Sequence, residues 1–192
     1  INFLIEPAPA AVSMSVKASA YNKQKITWKK VSGAAGYEIY RAASSSGKYS
    51  KVKTVSSNVT TLSVSAVTGR TYYYRIRAYK NVNGGKIYGN YSAVKKAKSV
   101  VGKTSLSSVK RSSSKRVTLK WKKVTGASGY VIYYSKKKSS GYKKLATVKK
   151  GKAVSYKVSV KKGQRYYYKV RAYRKASGIT SYGAYSSVKS CK

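Results

Sequence analysis

The nine residues Thr71–Tyr79 read TYYYRIRAY, and apolar and charged side chains alternate along their second half with a period of two. This is the period of a β-strand, in which successive side chains point to opposite faces of a sheet. An unpaired arginine is costly to bury, so the arginine-bearing face should point outward and the other face into a core. The inward face therefore carries Tyr72, Tyr74, Ile76 and Ala78, and the outward face carries Tyr73, Arg75, Arg77 and Tyr79.

The same pattern occurs a second time in the chain, as RYYYKVRAY over Arg165–Tyr173. A preceding segment also recurs, since ITWKKVSGAAGYEIY over Ile26–Tyr40 returns as VTLKWKKVTGASGYVIYY over Val117–Tyr134. Two ordered copies of about 90 residues predict two domains of one fold in tandem. In the second copy Tyr166, Tyr168, Val170 and Ala172 should face inward, and Tyr167, Lys169, Arg171 and Tyr173 outward.

Short period-two runs separated by Gly, Ser and Asn continue along both copies, and they predict seven strands in each. The fold class is therefore all-β, with two tandem seven-stranded antiparallel sandwiches. We expect a lead or linker over 1–9, a first domain over 10–98 and a second over 99–192. The seventh strands are predicted at Ser92–Lys98 and Ser186–Lys189, preceded by loops over Lys80–Lys86 and Arg174–Gly178.

The net charge of the chain is +41, because it has 43 Lys and Arg and only two acidic residues, Glu6 and Glu38. Such a field attracts polyanions and makes their binding depend on salt. A solvated surface that keeps a protein soluble is the simpler alternative. The aromatic composition is also unusual, with 21 Tyr and one Phe, which suggests that tyrosine fills core positions with its hydroxyl at a rim.

Enzymatic chemistry has few candidate groups in this sequence, which contains no His. The single thiol, Cys191, lies next to the C-terminal residue, where we expect a free and unactivated cysteine. No metal-ligand pattern, phosphate loop or nucleophile elbow occurs. We therefore expect a non-catalytic protein with no metal, no cofactor and no membrane span, since no apolar run reaches about 18 residues.

The repeated motifs resemble those of fibronectin type III domains: Trp28 or Trp121 in the second strand, Gly-Tyr-x-Ile-Tyr in the third, and Gly-x-x-Tyr-x-Tyr-x-Ile-x-Ala in the sixth. The version here is most similar to Lys/Tyr-rich modules of secreted or cell-wall proteins of Gram-positive bacteria. Trp28 and Trp121 share a strand face with Ile26 and Leu119, so we expect both tryptophans in the core. The resemblance implies immunoglobulin-like sandwiches with tyrosine-corner roles for Tyr72 and Tyr166, whose hydroxyls would bond back to the chain. It also implies a secreted or cell-surface location.

The resemblance and the charge together favour a structural or adhesive module that spaces or anchors a surface protein. Its partner would be an anionic wall polymer or acidic glycan, held on the outward face of the sixth strand by Tyr73, Arg75, Arg77 and Tyr79 and by Tyr167, Lys169, Arg171 and Tyr173. An ordinary solvated sheet face is the alternative for these residues.

Three other functions stay open: a spacer within a polysaccharide-degrading enzyme, a self-assembling filament or array subunit, and a non-specific nucleic-acid binder. For self-assembly, the apolar segment Ile1–Ile5 could add to the sheet edge of a neighbouring molecule. Glu38 is expected outward, in an exposed pair with Arg75 or Arg77 worth well under about 1 kcal/mol.

Overall fold

A computed structural model describes residues 6–191, and every regular element in that range is a β-strand. The chain forms two compact units, one ending at Ser99 and the other beginning at Val100. We call them domain 1 and domain 2. Each is a sandwich of two antiparallel sheets, as the all-β expectation required. The proposed contact of Ile1–Ile5 with a neighbour lies outside the described residues.

Domain 1 packs a three-stranded sheet of order β1-β2-β5 against a sheet of order β4-β3-β6-β7, in which β8 also pairs with β6. Its strands are β1 Met14–Ala20, β2 Lys23–Trp28, β3 Gly36–Ala42, β4 Ser50–Ser56, β5 Thr61–Ser65, β6 Thr71–Val82, β7 Gly85–Tyr88 and β8 Lys95–Lys98.

Domain 2 repeats this arrangement with sheets of order β13-β10-β9 and β12-β11-β14-β15, in which β16 also pairs with β14. Its strands are β9 Leu106–Ser113, β10 Arg116–Trp121, β11 Gly129–Ser135, β12 Lys143–Val148, β13 Ser155–Ser159, β14 Tyr166–Ala176, β15 Ile179–Tyr182 and β16 Lys189–Cys191.

The predicted seventh strand is interrupted in both domains. In domain 1 both β7 and β8 pair with β6, and two extra residues shift the register between Tyr79↔Tyr88 and Tyr74↔Lys95. The Ser92 hydroxyl accepts from the Ile76 amide at 3.1 Å within the interruption, and Ser186 does the same for Val170 at 3.0 Å. Each domain thus has seven strand positions, the last one occupied by two short strands.

The segments predicted as loops after the sixth strands are tight hairpins. The two residues between β6 and β7, Asn83 and Gly84, have φ values of 45° and 79°. Ser177 and Gly178 take 47° and 76° at the same place in domain 2. Positive φ at both central residues defines a type I′ turn, for which Asn-Gly is the preferred sequence.

The core of each domain is built around tryptophan and tyrosine. Trp28 and Trp121 are 4% and 3% exposed, and each contacts a fully buried tyrosine of the third strand. That tyrosine hydroxyl accepts a backbone amide in both copies, Tyr37 from Val31 and Tyr130 from Val124, each at 2.9 Å. The hydrogen bond satisfies the polar end of a ring that would otherwise be costly to bury.

The inward faces of β6 and β14 are buried at Tyr74, Ile76 and Ala78 and at their counterparts in domain 2. Tyr72 is also buried, and Tyr166 packs against the core of domain 2. Within residues 6–191 neither of these two hydroxyls donates to the backbone, unlike the expected tyrosine corner. Instead the Arg41 guanidinium lies 4.6 Å from the centroid of the Tyr72 ring.

Candidate functional site: a stacked cation and tyrosine face

The outer face of the sheet β4-β3-β6-β7 carries alternating cations and tyrosine rings. The Arg75 guanidinium lies between the rings of Tyr49 and Tyr91, with Cζ 4.4 Å and 3.9 Å from their centroids. The Arg77 guanidinium lies between Tyr91 and Tyr88, at 5.1 Å and 3.6 Å. The order Tyr49–Arg75–Tyr91–Arg77–Tyr88 thus forms one column, which we call the stacked face.

Domain 2 builds the same column from matched positions. The Lys169 ammonium lies 4.2 Å and 4.1 Å from the ring centroids of Tyr142 and Tyr185. The Arg171 guanidinium lies 4.8 Å and 4.0 Å from those of Tyr185 and Tyr182. Tyr185 and Tyr182 are 37% and 44% exposed. The stacked face of domain 2 therefore presents aromatic surface as well as charge to solvent.

Stacking fixes the cations in place without neutralising them. A cation over an aromatic ring gains about 0.5–2 kcal/mol, depending on how far it is desolvated. The edge-on contacts of Tyr40 with Tyr91 and of Tyr133 with Tyr185, at 5.4 Å and 5.3 Å between centroids, brace the rings that separate the cations. An ordered row of cations and ring edges is suited to an anionic chain, because its geometry exists before the ligand arrives.

Half of the predicted contact residues take part in the column, namely Arg75, Arg77, Lys169 and Arg171. Tyr73 makes a separate contact, with its ring centroid 5.9 Å from the Lys96 ammonium, and Tyr167 is half-buried on β14. Tyr79 and Tyr173 are 9% and 6% exposed and lie over Gly36 and Gly129 of the adjacent strands. The structure therefore gives these last two a packing role.

The tyrosines that separate the cations were absent from the predicted set. They lie outside the sixth strand: Tyr49 precedes β4, Tyr88 ends β7, and Tyr91 lies in the interruption before β8. The repeat itself could have identified them, since Tyr49, Tyr88 and Tyr91 recur at matched positions as Tyr142, Tyr182 and Tyr185.

Glu38 corrects the expectation of an exposed ion pair. It is 1% exposed and lies opposite Arg77 in the register of β3 and β6. Arg77 donates to its Oε2 at 2.8 Å and 3.2 Å, and Lys51 donates to Oε1 at 3.1 Å. The hydroxyls of Tyr40 and Tyr88 also donate, at 2.6 Å and 3.3 Å. Four side chains thus surround one buried carboxylate.

Burial raises the pKa of Glu38, but the hydrogen bonds from Tyr40, Arg77 and Lys51 outweigh it and lower the pKa to about 2. Burial and the hydrogen bond to Glu38 both raise the pKa of Tyr40, so that hydroxyl stays protonated and remains a donor. The carboxylate is therefore ionised throughout the physiological range.

We expect acid to destabilise domain 1 selectively. The pKa of Glu38 is lower in the folded state, about 2, than in the unfolded chain. Its stabilisation is therefore complete near neutral pH and is lost as the pH falls toward 2, by about 2 kcal/mol between pH 6 and pH 3. Hydrogen exchange of both domains in one sample measures this, and domain 2 is the internal control because it has no acidic side chain. Equal acid sensitivity of the two domains would contradict the assignment.

The positive charge is unevenly divided. Domain 1 has 17 Lys and Arg and both acidic residues, a net charge of +15, whereas domain 2 has 26 and none, a net charge of +26. The position of Glu38 is taken in domain 2 by Val131, which is 4% exposed. The stacked face of domain 2 therefore has no carboxylate of its own.

The Cys191 thiol is the remaining candidate for a reactive group. Burial raises the pKa of the Cys191 thiol, which disfavours a reactive thiolate. The residues described hold no group of three or more His, Cys, Asp or Glu that could bind a metal ion. Residues 6–191 also contain no helix long and apolar enough to cross a lipid bilayer.

No protein-family profile matches the chain, and no curated protein matches it. Solved structures do resemble it. The segment of two fibronectin type III domains from chicken tenascin is 17% identical, with a TM-score of 0.56, and the match covers 96% of this chain and 98% of that one. The FN1–FN3 domains of chicken CNTN1 are 21% identical with a TM-score of 0.43, over 97% of this chain and 65% of that one. The tenascin match and the strand order establish two tandem domains of the fibronectin type III fold.

Proposed function

We propose that this chain is a non-catalytic, extracellular pair of fibronectin type III-fold domains that attaches or spaces a surface protein by contact with anionic polymers. An anionic wall polymer or an acidic glycan is the class of partner. The observation that carries the proposal is the stacked face, which recurs in both domains with its cations held between tyrosine rings. In a Lys/Tyr-rich module of a Gram-positive secreted or cell-wall protein, the stacked face would bind such a polymer.

The physical case rests on charge and order together. A net charge of +41 supplies long-range attraction, which is screened beyond about 10 Å at 0.1 M salt. Close contact then depends on cations that need little reorganisation when a polymer binds. Tyrosine rings between them can pack against the sugar or backbone carbons of the polymer.

Retention on purified anionic wall polymer, compared with a neutral glycan across a salt series, tests the proposal. We expect retention at low salt on the anionic polymer alone, and a loss of binding as salt rises. The variant Lys169→Gln/Arg171→Gln removes the cations of the domain 2 column. Its matched control, Lys120→Gln/Lys157→Gln, removes the same charge from exposed positions on the opposite sheet.

The column variant should elute at clearly lower salt than its matched control. Equal elution of the two variants would leave only diffuse charge as the cause and would overturn the role of the stacked face. Binding of duplex DNA with equal strength and equal salt dependence would favour the non-specific nucleic-acid alternative.

A further inference from the structure

The two domains differ at one position in an otherwise shared set of hydrogen-bond donors. In domain 1, Arg77, Lys51, Tyr40 and Tyr88 all donate to the Glu38 carboxylate. Domain 2 keeps all four at matched positions, as Arg171, Lys144, Tyr133 and Tyr182, and replaces the glutamate by Val131. The same donors thus surround an apolar side chain in place of an anion.

The strand registers hold these groups in the same arrangement. Val131 pairs with Arg171 on β14, as Glu38 pairs with Arg77 on β6. Arg171 donates to the Tyr133 hydroxyl at 2.8 Å, and Arg77 donates to the Tyr40 hydroxyl at 3.0 Å. The framework that holds the donors therefore does not depend on the glutamate.

Two buried polar atoms next to Val131 have no hydrogen-bond partner within residues 6–191. They are Nε of Arg171 and Oγ1 of Thr147, the side chains that flank Val131 on the two neighbouring strands. In domain 1 the equivalent Nε of Arg77 donates to Glu38 at 3.2 Å. Buried polar atoms are normally satisfied, and a group with acceptor oxygens at this position would supply the partner that both atoms lack.

A cavity of about 420 Å³ opens at this place. Its lining includes Val131 at the position of the missing carboxylate and several groups that can donate to an anion: Tyr133, Lys144, Thr147, Lys149, Lys175 and Tyr182. The three lysines and the adjacent Arg171 place four cations around it, in a domain with no acidic residue. The chemistry of the lining is that of an oxoanion site.

We propose that domain 2 binds an oxoanion, either a carboxylate or a phosphate group, above Val131, where domain 1 holds its own Glu38 carboxylate. This deepens the proposed function, because it assigns the anionic group of the polymer to one place. It also limits that specific contact to domain 2, since Glu38 occupies the site in domain 1. A polymer held by the stacked face alone would bind without the oxoanion site. The oxoanion site can therefore be disproved while the proposed function stands.

The test is a titration of the full chain with inorganic phosphate, and separately with acetate, at constant ionic strength, followed by backbone amide NMR. We expect saturable shifts at β11, β12 and β14 of domain 2, and none at the matching strands of domain 1. Val131→Glu supplies an internal carboxylate and should weaken binding at least tenfold. Glu38→Val should create a phosphate response in domain 1. The relative affinities for phosphate and acetate identify the preferred group.

Thr147→Val is the second variant, because it removes one unpaired hydroxyl with almost no change of shape. It should weaken phosphate binding several-fold. The NMR spectrum of the ligand-free variant should remain that of a folded protein. Equal shifts in both domains, or a phosphate affinity that Val131→Glu and Thr147→Val both leave unchanged, would overturn the site. Loss of this binding with retention on the polymer intact would leave the proposed function standing.

Discussion

Replacing Glu38 with alanine should lower the free energy of unfolding of domain 1 by about 3 kcal/mol, the lower end of the range for breaking a buried ion pair. The reason is that Arg77 and Lys51 lose the carboxylate that both contact, at 2.8 Å and 3.1 Å. They then remain beside each other in a domain of net charge +15. Urea unfolding with hydrogen exchange resolved by domain measures the change.

Glu38→Gln separates charge from packing, since it keeps the side-chain volume and some of the hydrogen bonds. It should cost less than Glu38→Ala, and added salt should restore part of the stability in both variants by screening the remaining cations. A loss below about 0.5 kcal/mol for Glu38→Ala would mean that the pair behaves as an exposed surface pair, contrary to its burial. Domain 2 should be unaffected in either variant, because distant sites act independently.

Adding a single methyl group at Gly36 should destabilise domain 1 by about 3 kcal/mol, the upper part of the range for overpacking. A Cβ atom there would lie 2.4 Å from the Val55 carbonyl oxygen and 2.5 Å from the Tyr79 hydroxyl. The carbonyl belongs to the paired strand β4 and cannot rotate away as a side chain can. Thermal unfolding of Gly36→Ala measures the loss.

Gly85→Ala is the matched control, because that glycine also lies in a strand of domain 1. A Cβ atom at Gly85 would meet only the Val82 carbonyl oxygen, at an ordinary 3.6 Å. We expect a change within about 0.5 kcal/mol there. Gly129→Ala should repeat the effect of Gly36→Ala in domain 2, where the Val148 carbonyl oxygen would lie 2.1 Å away. Similar stabilities for Gly36→Ala and Gly85→Ala would contradict this prediction, because they would show that β3 and β4 can move apart to accommodate the added methyl group.

The alternation in β6 and β14 was sufficient to predict which of their side chains lie in the core. Tyr74, Ile76 and Ala78 are buried as the period-two pattern requires, because a one-residue shift would have buried Arg75 and Arg77. The hairpin turn at Asn83-Gly84 was equally readable from sequence and was predicted as a loop instead. The interruption between β7 and β8, which places Tyr91 on the stacked face, is not marked by a periodic pattern in the sequence.

What the sequence by itself determined is the content of each domain: two copies of one strand pattern, an inward tyrosine face and a surplus of positive charge. These follow from local periodicity and composition, which depend on residues close together in the chain. Only the tertiary structure decided that Glu38 is buried and that Arg75 and Arg77 lie between tyrosine rings. The residues concerned lie up to 50 positions apart in the chain. The pairing of separate strands brings their side chains together, and the pattern within one strand does not specify which strands pair.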